Sequence, residues 1–329
     1  MKALVANKLG EADVLQLEDV KKPEINSNQI LVEVFATAMN PVDTKARKHG
    51  LGGMLNPPLV LGYDVSGIVR EVGENARTKF APGDEVFGYL SIFGNGANAE
   101  YVAADYRTMA KKPSEINHVE AAVLPLALLT AWEALYDRIN IQAGETVLIH
   151  AGGGGVGHLA IQLAKLRGAK VVTTASSIAS INLVRALGAD VVINHRQDDF
   201  VKSINELTGG KGVSAIFDCV GGEVFDRSLD CISPCGRIAT IVEGGSANPS
   251  SKLFFKNATV HYVFIGAPLM YDIEPERQGK IIEQAAKLVA ENKLRAHVSH
   301  VLTLEQLVEA HKLQESGSVT GKIGIKVHN

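Results

Sequence analysis

The segment HAGGGGVGH, residues 150–158, carries the clearest chemical pattern in the chain. Gly152, Gly154 and Gly157 have the spacing G-x-G-x-x-G, which lets backbone amides approach the pyrophosphate of a dinucleotide. A strand-like run, TVLIH, precedes the glycines, and an apolar helical pattern opens directly after them. In that setting the glycines allow a tight turn, close contact with the pyrophosphate, and packing of the helix on the strand. A flexible linker is the alternative interpretation, but a linker would lack these flanking elements.

The place where a dinucleotide site often carries an acid is occupied by serine. Sites for NAD position Asp or Glu about 20 residues after the glycines, where the carboxylate bonds the ribose 2′-hydroxyl. Here Ser176 and Ser177 stand at that place, and no acidic residue occurs from residue 146 to residue 189. A carboxylate would repel a 2′-phosphate, whereas hydroxyls can bond it, so we expect NADPH. Basic residues nearby are Arg185, His195 and Arg196.

Hydrophobic patterning divides the chain into two kinds of architecture. Residues up to about 120 contain short Val- and Ile-rich runs, among them KALVA, QILVEVFA and VSGIVREVG, separated by turns. From TVLIH onwards, strand-like runs alternate with helical segments that end at glycine, which indicates a doubly wound parallel sheet. The end of the chain contains the amphipathic helix KIIEQAAKLVAEN, then LEQLVEAHKL and the strand-like GKIGIKV. We therefore predict an α/β fold with the alternating block inserted into a β-rich domain.

Composition is typical of a soluble globular protein. Its 329 residues exceed most single cores, so two domains are expected. The net charge of −3 and the lack of Lys and Arg runs argue against a nucleic-acid partner. Three cysteines are too few for a disulfide framework. The apolar run AAVLPLALL is shorter than the ~20 residues of a membrane span. We expect a cytoplasmic protein without nucleic-acid or membrane partners.

A series of longer motifs runs through nearly the whole chain. They are NPVDTKAR, LGYDVSGIVREVG, PGDEVFGY, AEYVAAD, AAVLPLALLTAWEAL, HAGGGGVGHLAIQLAK, LGADVVINHRQDDF, IFDCVGGE and GKIGIKV. In this order they resemble the medium-chain dehydrogenase/reductase superfamily, specifically its zinc-free quinone oxidoreductase branch. The resemblance implies a GroES-like, β-rich catalytic domain formed by residues 1–124 and 267–329, and a Rossmann NADP-binding domain at 125–266. It also implies a homodimer, the commonest closed assembly.

The resemblance also indicates which residues take the place of zinc ligands. Zinc-dependent relatives hold the catalytic metal with two cysteines and a histidine, and the corresponding residues here are Asn40, Tyr63 and Leu126. Leucine cannot ligate zinc, and neutral Asn and Tyr are poor ligands beside that set. A structural zinc site of the kind found in some relatives needs four clustered cysteines, and this chain has three in total. We therefore predict no bound metal.

Site residues follow from the resemblance in both domains. Tyr63 is a candidate hydrogen-bond or proton donor to the acceptor, and its alternative role is to fill space. Asp43 and Asp64 are expected to hold loop structure, and GLGGMLNPPLV, residues 50–60, to face the substrate. The catalytic candidates are Tyr63 and Asn40. The cofactor-binding candidates are Asn40, Thr130, Gly152, Gly154, Gly155, Val156, Gly157, Ser176, Ser177, His195, Val220, Val242, Glu243, Phe264, Gly266 and Lys322.

Chemistry without a metal favours conjugated acceptors. Reducing a simple ketone generates an alkoxide, whose charge is commonly stabilised by a metal ion. Hydride addition to a quinone or an α,β-unsaturated carbonyl gives a delocalised anion that one or two hydrogen-bond donors can stabilise. The leading hypothesis is therefore an NADPH-dependent quinone reductase. The alternative reaction is reduction of the double bond of enones or enals, and a hypothesis of another class is a non-catalytic NADPH-binding sensor or structural protein.

Overall fold

The computed structural model describes residues 1–242 and 250–328. The chain divides into two compact units, Met1–Leu129 with Gly266–Asn329, and Thr130–Ile265. The junctions between these units lie at 129/130, inside the helix Pro125–Trp132, and at 265/266. Domain boundaries at 124/125 and 266/267 stay a prediction.

The N-terminal part of the first unit is rich in strands, as predicted. Its strands are β1 (Lys2–Ala6), β2 (Leu15–Asp19), β3 (Gln29–Ala38), β4 (Leu59–Val60), β5 (Asp64–Val72), β6 (Glu85–Tyr89), β7 (Tyr101–Asp105) and β8 (Met109–Lys111). The helices are α1 (Pro41–Gly53), α2 (His118–Ala122) and α3 (Pro125–Trp132), the last followed by a π-helical turn at Glu133–Arg138. The β-branched runs supply the core, in which Val32, Val34, Val65 and Val86 are completely buried.

Helix α1 is an element that the sequence analysis did not predict. Its start is fixed by Pro41 at the first helical position and by Asp43, whose carboxylate accepts the backbone N–H of Asn40 at 2.9 Å. Its end contains left-handed backbone at Gly50, Leu51 and Gly52. The expected substrate-facing segment therefore begins as the distorted last turn of a helix.

The second unit is a doubly wound parallel sheet, which confirms the predicted fold class. Its elements are β9 (Thr146–Ile149), α4 (Gly157–Leu166), β10 (Lys170–Ala175), α5 (Ile178–Ala186), β11 (Val191–Asn194), α6 (Phe200–Thr208), β12 (Val213–Asp218), α7 (Gly222–Cys231), β13 (Ile232–Thr240), α8 (Ser250–Lys256) and β14 (Thr259–Tyr262). The strand order is β11-β10-β9-β12-β13-β14, with every neighbouring pair parallel. In such a sheet ligands bind at the carboxyl ends of the strands, near the point where the order reverses, here β9.

The C-terminal segment completes the first unit. It contains α9 (Ala267–Met270), α10 (Glu276–Ala290), β15 (Val298–Thr303), α11 (Leu307–Glu315) and β16 (Lys322–Lys326). One sheet has the order β15-β16-β3-β5-β6-β8, with β7 also paired to β3, and a smaller one has the order β2-β1-β4. The sequence analysis missed β15, which is largely exposed and lacks an apolar face. The antiparallel pairing of β16 with β3 brings the start of β16 to the end of β3.

A helical stretch at 118–138 is long and apolar enough to cross a membrane by length and composition alone. It contains α2, α3 and the π-helical turn, and 72% of its apolar window is buried inside the protein. Packing in the protein core accounts for its composition.

Candidate cofactor and acceptor sites

The turn after β9 forms a tight loop around its glycines. The left-handed residue of this turn is Ala151, with φ of 52°, whereas the sequence analysis assigned the tight turn to a glycine. Gly152 N–H donates to the carbonyl of Thr174 at 3.0 Å, and Gly154 N–H donates to that of Ala151 at 2.9 Å. The loop runs directly into the N-terminus of α4, where the helix dipole favours an anion.

The glycines are required by close approach of neighbouring atoms. A Cβ at Gly152 would lie 2.0 Å from Thr173 Oγ1, and one at Gly157 would lie 2.3 Å from the Ala151 carbonyl oxygen. Gly153, which is not among the predicted site residues, also packs tightly, since an added Cβ would lie 2.5 Å from Ser180 Cβ. A Cβ at Gly154 would have only one contact, at 3.2 Å. Gly154, Gly155 and Val156 are partly exposed, which leaves backbone available to a phosphate group.

The two serines after β10 differ in their surroundings. The Ser177 hydroxyl caps α5 by accepting the Ser180 N–H at 3.0 Å, and it also donates to Ser180 Oγ at 2.9 Å. Ser176 is partly exposed, and its hydroxyl has no hydrogen-bond partner within residues 1–242 and 250–328. Of the two candidates, Ser176 is therefore the one with a hydroxyl left for a ligand.

The ends of β12 and β13 are joined by a buried carboxylate. Asp218 accepts the N–H groups of Val220 and Gly221, both at 3.0 Å, and the Thr240 hydroxyl at 2.9 Å. Thr240 Oγ1 also accepts the N–H of Val242 at 3.3 Å. This network, which the sequence analysis did not identify, fixes the backbone of two candidate segments at the carboxyl edge of the sheet.

The other cofactor candidates lie in different surroundings. Thr130 is buried in α3, whereas His195 is exposed after β11. Phe264 is half-exposed after β14, and Gly266 precedes α9. Glu243 lies outside the described residues.

His150, at the end of β9, is a buried neutral histidine beside the glycine loop. Its Nε2 lies 3.0 Å from Ser228 Oγ, and its ring packs edge-on against Phe200 with the ring centres 4.8 Å apart. Burial lowers the pKa of His150 from 6.5 to about 4, although Asp218 opposes the shift. The group is neutral in the folded protein at pH values where the unfolded chain becomes protonated.

The depressed pKa of His150 predicts a loss of stability in acid. The contribution of neutral His150 to the free energy of unfolding is fully present above pH 6.5. It is lost as the pH falls towards 4, because in that range only the unfolded chain takes up the proton. The free energy of unfolding should fall by about 3 kcal/mol over that range. Urea titrations between pH 6.5 and 4 should show a smaller fall in the free energy of unfolding for His150→Gln than for the wild type. His49→Gln, at an exposed site, should show the same fall as the wild type. An equal fall in His150→Gln would contradict this assignment.

A second polar cluster lies in the first unit, at the end of β3. The Lys322 ammonium donates to the Met39 carbonyl at 3.0 Å and to Asn40 Oδ1, and lies 3.6 Å from Asp64 Oδ2. Asn40 Nδ2 donates to Asp64 Oδ2 at 2.8 Å, and the Leu126 N–H donates to Asp64 Oδ1 at 2.7 Å. Burial raises the pKa of Asp64 and lowers that of Lys322, and the attraction between the two charges opposes both shifts.

Asp43 joins this cluster to the loop that carries Tyr63. Its two carboxylate oxygens accept the N–H groups of Asn40 and Gly62, each at 2.9 Å. Burial raises the pKa of Asp43 to about 7, while these hydrogen bonds lower it. Gly62 has φ of 95°, and a Cβ there would lie 2.5 Å from Asn98 Oδ1. Asp43 and Asp64 thus both hold loop structure, as expected for them.

Tyr63 lines a cavity of about 490 Å³. The cavity is bounded by residues 54–56, 58–61, 63 and 92–95, most of which are apolar. It includes much of the segment expected to face the substrate. Only 1% of Tyr63 is exposed, and its hydroxyl has no hydrogen-bond partner among the described residues. Burial, and secondarily the charge of Asp43, raise the pKa of Tyr63, so the phenol stays protonated and can act as a hydrogen-bond donor.

Comparison with known proteins gives matches over both units. The profile of the alcohol dehydrogenase GroES-like domain matches residues 26–114, and that of zinc-binding dehydrogenases matches residues 155–287. The human quinone oxidoreductase is 31% identical over 98% of this chain and 97% of its own length. The chain belongs to the medium-chain dehydrogenase/reductase superfamily. An Arabidopsis thaliana relative, the chloroplastic NADPH-dependent alkenal/one oxidoreductase, is 38% identical over 76% of this chain and 64% of its own length.

Solved structures place this medium-chain dehydrogenase/reductase among oxidoreductases. The quinone oxidoreductase from Coxiella burnetii is 36% identical with a TM-score of 0.86, and the match covers 100% of this chain and 99% of that one. The Escherichia coli quinone oxidoreductase, solved as a complex with NADPH, is 27% identical with a TM-score of 0.89 over 99% and 100% of the two chains. The glycine loop, with partly exposed backbone at 154–156 leading into the N-terminus of α4, fits the nicotinamide dinucleotide that this neighbour binds.

Zinc does not fit the residues of the second cluster. A zinc site is built from thiolate, imidazole or carboxylate ligands, and the three positions that would supply them hold Asn40, Tyr63 and Leu126. Asn40 Oδ1 is bonded to an ammonium, whose charge would repel a divalent cation. Within residues 1–242 and 250–328, no group of three or more His, Cys, Asp and Glu side chains could hold a metal ion.

The sequence indicates the members of this cluster but not their contacts with one another. Asn40, Asp64 and Lys322 were each singled out, but their mutual contacts were not, since 282 residues separate Asn40 from Lys322. Lys322 was expected to bind cofactor, and its side chain is 3% exposed with its ammonium turned into this cluster. The polar residues Asp218 and Thr240 carried a weak signal, because each ends a buried strand beside a glycine or a predicted site segment.

Proposed function

We propose that the protein is an NADPH-dependent oxidoreductase that transfers hydride to a quinone without catalytic zinc. The observation that carries the proposal is the donor set of the first unit. The residues that take the place of the metal ligands of zinc-dependent relatives are Asn40, Tyr63 and Leu126, and the ammonium of Lys322 lies against the amide of Asn40. Hydrogen-bond donors of this kind suffice for a conjugated acceptor, whose reduced form is a delocalised anion.

The cofactor preference is assigned to Ser176. A free hydroxyl at the end of β10, with no acid from residue 146 to residue 189, suits the 2′-phosphate of NADPH. The glycine loop at 152–157 and the dipole at the N-terminus of α4 suit the pyrophosphate. The E. coli quinone oxidoreductase, which was solved with NADPH, supports the same assignment. Thr130, His195, Phe264 and Gly266 remain candidates for contacts along the rest of the cofactor, together with the backbone at 220 and 242–243.

The residues of the first unit are assigned to the acceptor. When bound, NADPH supplies a hydride, and one further proton completes the two-electron reduction of a quinone to a hydroquinone. Asn40 positions the reacting groups through its amide. Tyr63, protonated and without another partner, donates a hydrogen bond or the proton to the acceptor oxygen. The cavity beside Tyr63 would hold the acceptor.

Reduction of an enone or enal is a second candidate, favoured by the similarity to the Arabidopsis alkenal/one oxidoreductase. Both reactions begin with hydride transfer, so the product separates them. The purified protein should oxidise NADPH steadily with members of a panel of quinones and enones. Mass spectrometry should then find the hydroquinone from a quinone or the saturated carbonyl compound from an enone. NADPH binding without turnover of any acceptor would instead indicate a sensor or structural protein.

Independence from zinc is tested on the same preparation. Elemental analysis should find much less than one zinc per chain, and chelators should leave turnover unchanged. One tightly bound zinc per chain, lost together with activity, would overturn that part of the proposal. A homodimer in solution and a cytoplasmic location are further predictions, which light scattering and cell fractionation can check.

Replacing Tyr63 by phenylalanine should lower turnover by more than about tenfold, because the acceptor loses its donor while the ring still fills its place. Stopped-flow measurement of NADPH oxidation at saturating acceptor gives the rate. Tyr89→Phe is the matched control, since Tyr89 is equally buried but does not line the cavity. An unchanged rate in Tyr63→Phe would leave Tyr63 as a residue that only fills space.

A further inference from the structure

Lys322 is a buried cation whose contacts are all with the first unit's own polar groups. Its side chain is 3% exposed at the start of β16, whereas Lys326, at the other end of the same strand, is exposed. Around the ammonium lie the Met39 carbonyl at 3.0 Å, Asn40 Oδ1, and Asp64 Oδ2 at 3.6 Å. All three are acceptors, so these contacts stabilise the protonated amine against the cost of burial. A buried charge is retained at a high desolvation cost and requires such pairing.

The cluster fixes the amide of Asn40 in one orientation. Its oxygen faces the Lys322 ammonium and its nitrogen faces the Asp64 carboxylate at 2.8 Å. A flipped amide would set N–H groups against a cation and an oxygen against an anion, so both contacts would become repulsive. The second N–H of Asn40 Nδ2 has no partner among the described residues. The direction of this second N–H is therefore set by Lys322 and Asp64 together.

The cluster also ties distant segments to Asn40. Pairing of β16 with β3 brings Lys322 to the end of β3, and the Met39 N–H donates to the Ile323 carbonyl at 3.0 Å. Asp64 begins β5 and holds the N–H of Leu126 in α3 at 2.7 Å. Lys322, Asn40 and Asp64 thus connect β16, the end of β3, β5 and α3.

We infer that Lys322 is a positioning residue of the acceptor site, the fixed cation that orients the Asn40 amide in place of a metal ion. The inference rests on the proposed function, in which Asn40 positions the reacting groups. Without the ammonium, Asn40 loses one of its two orienting contacts and Asp64 is left as a buried, unpaired carboxylate. A displacement of about 1 Å in a positioning group can cost two orders of magnitude in rate.

Lys322→Met tests this role because methionine fills the space without carrying charge. At saturating NADPH we expect kcat to fall by about tenfold or more. The dissociation constant of NADPH, measured by fluorescence, should change by less than about threefold, since the Lys322 ammonium is turned into the Asn40 cluster. Lys326→Met, on the exposed end of β16, should leave both values unchanged. A folded Lys322→Met protein with wild-type kcat would overturn the inference, as would a loss confined to NADPH affinity.

Chemical rescue separates a missing charge from a missing shape. In Lys322→Ala, ethylammonium or propylammonium should raise kcat several-fold, and propanol should not. The same amines should have no effect on Lys322→Met, where the space is filled. If the alanine variant is too unstable for kinetics, its melting temperature should rise with the amines and not with propanol. Absence of amine dependence in both rate and melting temperature would overturn the role of the cation.

Failure of the proposed function gives a different pattern. In that case the wild-type protein would turn over no quinone or enone. The amine-dependent rise in the melting temperature of Lys322→Ala would still decide whether the Asn40 cluster requires a cation. Wild-type turnover combined with wild-type kcat in Lys322→Met would reject the positioning role and leave the proposed function standing.

Discussion

Replacing Gly157 by alanine is expected to weaken NADPH binding by about 100-fold or more, a loss of about 2.7 kcal/mol. The added Cβ would lie 2.3 Å from the Ala151 carbonyl oxygen and 2.8 Å from Gly152 Cα. Both are backbone atoms, so no side-chain rotation can relieve the contact. The loop would have to move away from α4, and the amides that meet the pyrophosphate would move with it. Titration of NADPH fluorescence gives the dissociation constant.

The matched control for Gly157→Ala is Gly168→Ala, at the other end of the same helix. Gly168 has φ of 77°, so alanine there strains the backbone by about 1–2 kcal/mol without touching the loop. The control should lower the melting temperature and keep NADPH affinity. If Gly157→Ala bound NADPH as tightly as the wild type, the loop at 150–157 would not be the pyrophosphate site. Equal loss in both variants would point to general instability of the sheet.

The local features of the cofactor site could be predicted from the sequence because they depend on residues that are close together in the chain. The strand β9, the glycines and α4 follow one another directly, and Gly168, at the end of α4, has the left-handed backbone expected of a helix stop. Two details of the loop were not predicted. The left-handed turn residue is Ala151, which is not a glycine, and Gly153 packs on Ser180, in a helix whose distance from the loop the sequence does not specify.

The proposed acceptor site depends on contacts between segments that are far apart in the sequence. Asn40 and Lys322 meet because β16 returns to pair with β3, a strand pairing that local periodicity cannot predict. Helix α1 was missed because its apolar pattern is weak and its start depends on a cap from Asp43. The residue types were recognisable from the family resemblance. Which of them bond to one another was not, since that follows from register and burial.

Replacing Ser176 by aspartate is expected to shift the cofactor preference from NADPH towards NADH. A carboxylate about 4 Å from the 2′-phosphate would be repelled by about 4 kcal/mol per pair of unit charges at an effective dielectric constant of 20. Half of that would already weaken NADPH binding about 30-fold. The same carboxylate can accept the 2′-hydroxyl of NADH, so NADH affinity should rise. Isothermal titration with each cofactor, at one fixed salt concentration, gives the ratio.

Two further variants show whether the effect belongs to the charge at Ser176. Ser176→Asn has the size of aspartate without its charge and should keep the preference for NADPH. Ser177→Ala removes the cap of α5, so it should cost about 1 kcal/mol of stability with little change in the cofactor ratio. If the wild type itself binds NADH more tightly, the interpretation of Ser176 is wrong. If Ser177→Ala alone abolishes the preference, the cap serine contacts the phosphate, and Ser176 is the residue without a role.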